Sequence, residues 1–291
     1  MPETMTAYLT ACPVGCDAPP APTSIALREG KLRRCPQCGQ LMSGIDEAAY
    51  WASMQQFNQH GFNVIGARED ARRLEVAARR LARISKLLAR PALGTAVLDV
   101  GCSRGAFLAA GAKLGYRMTG VEPAANVAQA ALDAGLDVRI GLLEDVGFAA
   151  ASFDAITLFE VIEHLRDPQS LLRECARILK PGGILLLSTG NTASWTASVM
   201  RERWDYYDIA KDGGHISFYN PSSIVLLAQR CGLQTALIET SRVKFFEKGH
   251  VGALFYAAAK IVAELLNLPA RAAGRGHDML AYLRVPPPAR G

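Results

Sequence analysis

The chain reads as a doubly wound α/β protein, and three stretches predict it. Residues 96–114 run from an apolar strand, Ala96 to Leu98, through Asp99 into a glycine turn, Gly101-Cys102-Ser103-Arg104-Gly105. An apolar helix then follows through Phe107, Leu108, Ala112 and Leu114. A second strand, Met118 to Glu122, ends on a carboxylate about 20 positions past the turn. A buried apolar run, Ser152 to Phe159, ends in Glu160-Val161-Ile162-Glu163-His164. Strands that alternate with helices in this way build a mostly parallel sheet covered on both faces. Ligands bind such sheets outside the carboxyl ends of the strands.

Composition bounds the rest. The 291 residues are 50% hydrophobic and 20% charged, enough for one large domain or two smaller ones. A net charge of +5 favours anionic partners but falls short of the polybasic make-up of a dedicated nucleic-acid binder. The longest apolar run, Val251 to Leu268, is interrupted by Lys260, Glu264 and Asn267. The N-terminal stretch lacks the basic and apolar regions of a secretory signal. The seven cysteines, four of them within residues 12–38, do not form a disulfide pattern, so a reducing cytoplasm is expected.

Cys12-x₃-Cys16 and Cys35-x₂-Cys38 are two close cysteine pairs at the spacing of a four-cysteine zinc ribbon. Paired thiolates suit Zn²⁺, which takes four soft ligands tetrahedrally, and four protein ligands would make the site closed and structural. The stretch between the pairs reads as a small hairpin, so residues 1–45 are expected to form the ribbon. Tyr50-Trp51 leads into a polar, aromatic stretch ending near Asn63. Residues 68–90 form a helix with an apolar stripe of Leu74, Leu81, Ile84, Leu87 and Leu88. Its eight basic residues, Arg72, Arg73, Arg79 and Arg80 among them, read as a solvated face, with an anion- or RNA-contacting surface as the alternative. Residues 46–94 are thus a helical linker or lid, closed by Pro91 and Gly94.

The half from residue 95 onward carries the ligand chemistry. A glycine turn lets backbone approach a ligand, and the helix behind it offers free N–H groups. The dinucleotide fingerprint G-x-G-x-x-G fails, because Ser103 stands where its central glycine would be. Glu122 is placed to accept both hydroxyls of a ribose. A helix at 124–134, a third strand at Asp137 to Ile140 and a loop at Gly141 to Asp145 follow. Asp167-Pro168 starts another helix, and Ile184 to Ser188 is strand five. His164, at the end of strand four, is either a general base for a hydroxyl acceptor or a structural histidine. Trp195 to Trp204 reads as a helix with exposed aromatics, and His215 is a second candidate base or orienting group. A helix at Pro221 to Cys231 precedes strands six (233–240) and seven (277–285). Between them lies an insertion at about 241–276, read as a core or dimer helix or as a peripheral membrane contact through 246–275.

Asp99-x-Gly101-x-Ser103-x-Gly105 resembles motif I of class I S-adenosylmethionine (SAM) methyltransferases. Glu160-Val-Ile-Glu-His-Leu165, Arg177-Ile-Leu-Lys-Pro-Gly-Gly183 and Ser188-Thr-Gly-Asn191 extend the likeness to the ubiquinone-type O-methyltransferase branch, strongly over residues 95–190 and weakly over 191–240. The order of ribbon, Tyr-Trp, helix and motif I resembles a bacterial group of zinc-ribbon methyltransferases. The resemblance implies a Rossmann-like sheet of strand order 3-2-1-4-5-7-6 with strand seven antiparallel, and a methyltransferase domain over 95–291. It implies SAM bound by Asp99, Gly101, Cys102, Gly105, Glu122, Leu143, Glu144, Phe159 and Glu160, with the loop at 141–145 along the adenine. With His164 and His215 as the candidate catalytic residues, it also implies methyl transfer to a small molecule, glycan or lipid-linked acceptor, through oxygen before carbon or nitrogen. The rival readings are a ribosomal-RNA methyltransferase, which the modest charge argues against, and a SAM-binding or zinc-ribbon interaction protein without catalysis.

Overall fold

The computed structural model describes residues 7–60, 67–209, 213–246 and 251–287; the end of the aromatic stretch near Asn63 lies outside these residues. The N-terminal part carries β1 (Ala21–Leu27), β2 (Gly30–Arg34), β3 (Leu41–Met42), α1 (Glu47–His60) and α2 (Ala67–Leu88). The larger part continues through β4 (Ala96–Val100), α3 (Ala106–Lys113), β5 (Arg117–Glu122), α4 (Ala125–Asp133), β6 (Val138–Ile140), α5 (Leu143–Val146) and β7 (Phe153–Phe159). It ends with α6 (Pro168–Ile178), β8 (Leu179–Gly190), α7 (Trp195–Met200), β9 (Ser217–Phe218), α8 (Pro221–Arg230), β10 (Gln234–Ser241), α9 (Ala253–Ala272) and β11 (Asp278–Arg284).

Seven strands form one sheet in the order β6-β5-β4-β7-β8-β11-β10, which is the expected 3-2-1-4-5-7-6. β4 is parallel to β5 and β7, and β11 is antiparallel to both of its neighbours. The central strands are near-continuous apolar runs because helices cover both faces: every residue of β4 is buried, as are six of the seven in β7. Asp154 in β7 ties the layers together. It accepts from the Ala96 N–H (2.9 Å), Arg90 Nη1 (2.8 Å) and Lys180 Nζ (2.9 Å), which pins the exit of α2 to the sheet. α2 reaches that core only through its C-terminal half. Leu81 and Ile84 are fully buried with Val97, Ala155 and Leu186, whereas Leu74 is 37% exposed.

Three local expectations change. β8 starts at Leu179 and not at Ile184, because Lys180-Pro-Gly-Gly is absorbed where the register with β7 shifts. The helix expected over 195–204 stops at Met200, where Arg201 takes φ 48°, and short 3₁₀ turns at 201–203 and 205–207 replace it. Trp204 is 1% exposed, not a surface aromatic. It stacks on Tyr206 with centroids 5.2 Å apart and donates from Nε1 to His277 Nδ1 (3.1 Å).

A second, four-stranded sheet has the order β1-β2-β3-β9. Its last strand comes from the larger part of the chain: Leu41 pairs with Phe218 and Met42 with Ser217. The cysteine-bearing segment shares one apolar core with Ile162, Trp204, Phe218, Tyr219 and Ile224. The two sheets are therefore joined by backbone pairing and by packing.

Candidate active site

Three left-handed residues shape the turn after β4: Gly101 (φ 74°), Ser103 (φ 51°) and Gly105 (φ 78°). Gly101 and Cys102 both donate their N–H to the Val121 carbonyl (2.9 and 3.1 Å), so the turn is strapped to the end of β5. A Cβ on Gly101 would meet Val161 Cγ2 at 2.7 Å, and one on Gly105 would meet Leu136 Cδ1 at 2.5 Å. Ser103 adopts the conformation at a cost of about 1–2 kcal/mol. Its N–H donates to Glu122 Oε2 (2.9 Å), while Ala124 N–H donates to Oε1 (3.0 Å). Two backbone bonds thus aim the Glu122 carboxylate across the turn. Cys102 contributes backbone alone, because its thiol points inward beneath Gly120, where burial pushes it up to about 12.

Asp99 is buried under the turn and accepts from Thr157 Oγ1 (2.6 Å). Desolvation raises it to about 7, against the partial relief of that hydroxyl and of Arg80. Leu143 turns its side chain into the core, and Glu144 stands exposed on the first turn of α5. Beside them Ile140 and Leu142 are 49% and 55% exposed, which leaves apolar walls near Glu122. Phe159 packs edge-on to Phe107 (4.8 Å), with the Arg80 guanidinium 4.4 Å above its ring.

At the end of β7, Glu160 is also left-handed (φ 53°), a strained backbone of the kind found at functional sites. It accepts from Ser188 Oγ (2.8 Å) and from Tyr206 Oη (2.7 Å). The same phenol meets Glu163 Oε1. One phenol hydrogen cannot serve two carboxylates, so the fully buried Glu163 retains its proton. Desolvation, followed by the charge of Glu160, holds it well above the usual carboxylate range. His164 and His215 lie with ring centroids 4.7 Å apart. Desolvation lowers them to about 4 and about 3, so both are neutral at pH 7. His215 Nδ1 faces the Tyr206 carbonyl (3.1 Å) and so carries the hydrogen, which leaves Nε2 with a lone pair. Glu163, His164 and His215 bring ligand atoms within 4.8 Å of one another, and Glu163 Oε2 has no hydrogen-bond partner among the described residues. A divalent cation could use this set.

Cys12, Cys16, Cys35 and Cys38 are all buried, with every Sγ within 4.8 Å of the others. The Cys12–Cys38 Sγ separation of 3.6 Å is too long for a disulfide. Two tight turns present the pairs: Gly15 N–H to Cys12 O (2.9 Å), and Gly39 N–H to Cys35 O (2.9 Å). This module touches the segments that carry His164 and His215 directly. Ser43 N–H donates to Ile216 O (2.9 Å), Ile216 N–H to Glu163 O (2.9 Å), and Tyr50 Oη to His164 O (2.9 Å).

The structure therefore brings Asp99, Gly101, Gly105, Glu122, Phe159, Glu160, His164 and His215 to one end of the sheet. It adds Arg80, Tyr206, Ser188 and Tyr50. Arg80 is one of seven similar basic residues in α2, and no spacing rule distinguishes it. Tyr206 had a faint signal, its place in the aromatic run 204–207.

The family described as "Methyltransferase domain" matches residues 67–237. The ubiquinone biosynthesis O-methyltransferase of Xanthomonas axonopodis pv. citri is 35% identical over 151 residues, 48% of this chain and 63% of that enzyme. Its counterpart in Xanthomonas campestris pv. campestris (strain B100) is 35% identical over 163 residues, 52% of this chain and 68% of that enzyme. The chain thus spans under two thirds of the first relative's length and just over two thirds of the second's. A SAM-dependent methyltransferase from Archaeoglobus fulgidus shares the fold, with a TM-score of 0.52 and 18% identity over 73% of this chain and 94% of that one. The seven-stranded sheet with its single reversed strand, the glycine turn and the family match lead to one conclusion: the chain belongs to the methyltransferase domain family and is a class I SAM-dependent methyltransferase.

Proposed function

We propose that this methyltransferase acts on a hydroxyl group of a small-molecule acceptor, with His164 as the general base and His215 as its neighbour and orienting group. The observation that carries this reading is the pair of neutral imidazoles past the end of β7, where His164 stands three residues after Val161, the side chain that packs on Gly101. A hydroxyl must lose its proton as it attacks, and a neutral imidazole within reach can take it. The curated relatives are O-methyltransferases, which supports oxygen as the acceptor atom.

The residues fit SAM. A Cβ would close the cradle at Gly101, where none is present. Glu122 is held ready for the ribose hydroxyls, Ile140 and Leu142 offer apolar walls for an adenine, and the backbone of Leu143 and Glu144 edges the same loop. Asp99 and Glu160 would offer carboxylates to the positive groups of SAM, and Arg80, whose charge acts on both, would be the cation available to its carboxylate. Bound SAM supplies an electrophilic methyl group on a sulfonium. The chain's part is to orient that methyl in line with the acceptor, exclude water and remove one proton.

His164→Ala is expected to lower kcat by about a hundredfold or more with SAM affinity changed less than about threefold. The measurement is methyl-label transfer to a panel of phenols and alcohols beside calorimetric SAM titration. Equal losses in both would make His164 structural. No transfer to any acceptor despite SAM binding would favour a non-catalytic role.

SAM affinity should also depend on pH through Asp99. The free protein holds this group protonated below about 7, and a cationic ligand prefers its ionised form. Affinity is expected to rise by up to about tenfold per pH unit toward pH 7 and then level off. Asp99→Asn should flatten the profile; an unchanged profile in that variant removes Asp99 from ligand binding.

We also propose that the four cysteines hold one structural zinc ion. A closed set of four soft sulfur donors suits it, and no position is left open for chemistry.

A further inference from the structure

α9 has the polarity of an ordinary surface helix reversed. The chain leaves the sheet after β10, forms α9 and returns as β11, with Ser241 paired to Asp278 at the exit. The inner face of α9 is built from small or polar residues. Ala263 and Ala270 are buried against Val243, with Trp195, Phe245 and Leu266 around them, and Val243 N–H donates to Asn267 Oδ1 (2.6 Å). The outer face carries Leu254, Phe255, Ile261, Val262, Leu265 and Leu268, which are between 49% and 90% exposed. At helical spacing Leu254, Ala258, Ile261, Leu265 and Leu268 form one continuous strip. Lys260, Glu264 and Arg271 gather on one shoulder, and no charge interrupts the strip. An apolar strip of this length on the surface marks an interaction site.

We propose that this face of α9 docks flat into the headgroup–acyl boundary of a lipid bilayer. The helix has 20 residues, and its most apolar 18-residue window has a mean hydropathy of 1.3, enough by length and composition to cross a membrane. Its inner face, however, is fastened to the protein from Ala263 to Ala270, and it begins and ends at neighbouring strands. It therefore lies on a bilayer and does not span one. A second copy of the chain fits less well. A helix laid against its twin along the strip leaves the flanking Phe255 and Val262 exposed, whereas a bilayer covers the whole face. Charge adds a small bias toward anionic lipid. Arg242, Lys244 and Arg271 have acidic partners in Asp278, Asp205 and Glu239, whereas the Arg275 guanidinium bonds the neutral Ala193 carbonyl. Docking in this way would put the bilayer beside a cavity of ≈ 210 Å³ lined by Thr196, Trp204, Lys244, Phe245 and Val251. Trp204 forms its wall toward Tyr206 and the active site.

Flotation of the full chain with vesicles tests the proposal, which does not rest on the acceptor chemistry. One set contains phosphatidylcholine alone and the other phosphatidylcholine with phosphatidylglycerol. The wild type is expected to float with both and several-fold more tightly with the anionic set. The neutral double variant Ile261→Ser/Leu265→Ser, which changes only exposed positions, is expected to lose at least about tenfold in partitioning. Its SAM binding should be unchanged, and that second reading separates failure of docking from failure of the methyltransferase site. A wild type that does not float with either set, or a double variant that floats like the wild type, overturns the proposal. So does a vesicle-free dimer in sedimentation that the double variant abolishes, because the face then belongs to a second copy.

Discussion

Gly101→Val is expected to weaken SAM binding at least about a hundredfold while the cysteine module stays folded. Two costs act together. Position 101 has φ 74°, a conformation that a β-branched residue adopts only with strain. The new Cβ would also meet Val161 Cγ2 at 2.7 Å, so either the turn or Val161 must move. Neither movement stays local. The turn is strapped to Val121, next to Glu122, and Val161 follows Glu160 directly in the chain. The Glu122 side and the Glu160 side of the turn therefore shift at once. Ser103→Gly makes the matched control: it relieves a left-handed serine and should bind SAM at least as well as the wild type. Calorimetric titration reads both variants, and metal content with far-ultraviolet circular dichroism reports on the fold. Gly101→Val binding SAM within about threefold of the wild type would remove the glycine turn from the cofactor site.

Loss of the proposed zinc is expected to reduce turnover although no cysteine of the cluster belongs to the glycine turn. Chelation, or Cys35→Ser, should lower the melting temperature by about 10 °C or more, since structural zinc contributes folding free energy directly. The effect on catalysis follows from the backbone path. β3 pairs with β9, Ser43 bonds Ile216, and Ile216 bonds Glu163. Tyr50 bonds the carbonyl of His164. Loosening the cysteine module thus releases the segments that hold both imidazoles, whereas Glu122 and Gly101 depend on β4 and β5. At a temperature below the lowered midpoint, kcat should fall about tenfold or more with SAM affinity within about threefold. Elemental analysis showing no zinc, with melting unchanged by chelator, removes the metal. Equal losses of kcat and SAM affinity would mean general unfolding and would sever the proposed link.

The order of the sheet and half of the site were legible because their signals are local. Strands buried on both faces must be apolar throughout, as β4 and β7 are, and a turn that needs left-handed backbone announces itself through Gly101 and Gly105. Glu122 and Glu160 stand at the strand ends where the apolar runs of β5 and β7 put them. The start of β8 was missed because a register shift hides Lys180-Pro-Gly-Gly inside a strand. Arg201, which ends α7, has no intrinsic preference for the left-handed conformation it adopts.

What the amino-acid sequence determined by itself was the series of strands, the glycine cradle, the acidic strand ends and the paired cysteines, all set by periodicity or by close spacing along the chain. Tertiary structure decided which distant groups meet. β9 has two residues and hence no periodicity, yet it closes the cysteine-bearing sheet and carries His215 to His164. Arg80 differs from its basic neighbours only in the face of α2 it occupies, and Tyr206 reaches Glu160 and Glu163 only after Trp204 is buried behind it. The direction of α9 belongs to the same class. Sequence shows an apolar helix, but only packing against Val243 decides that Leu254, Leu265 and Leu268 face outward. Side-chain pattern is written along the chain, whereas contact between segments far apart depends on how the whole chain closes on itself.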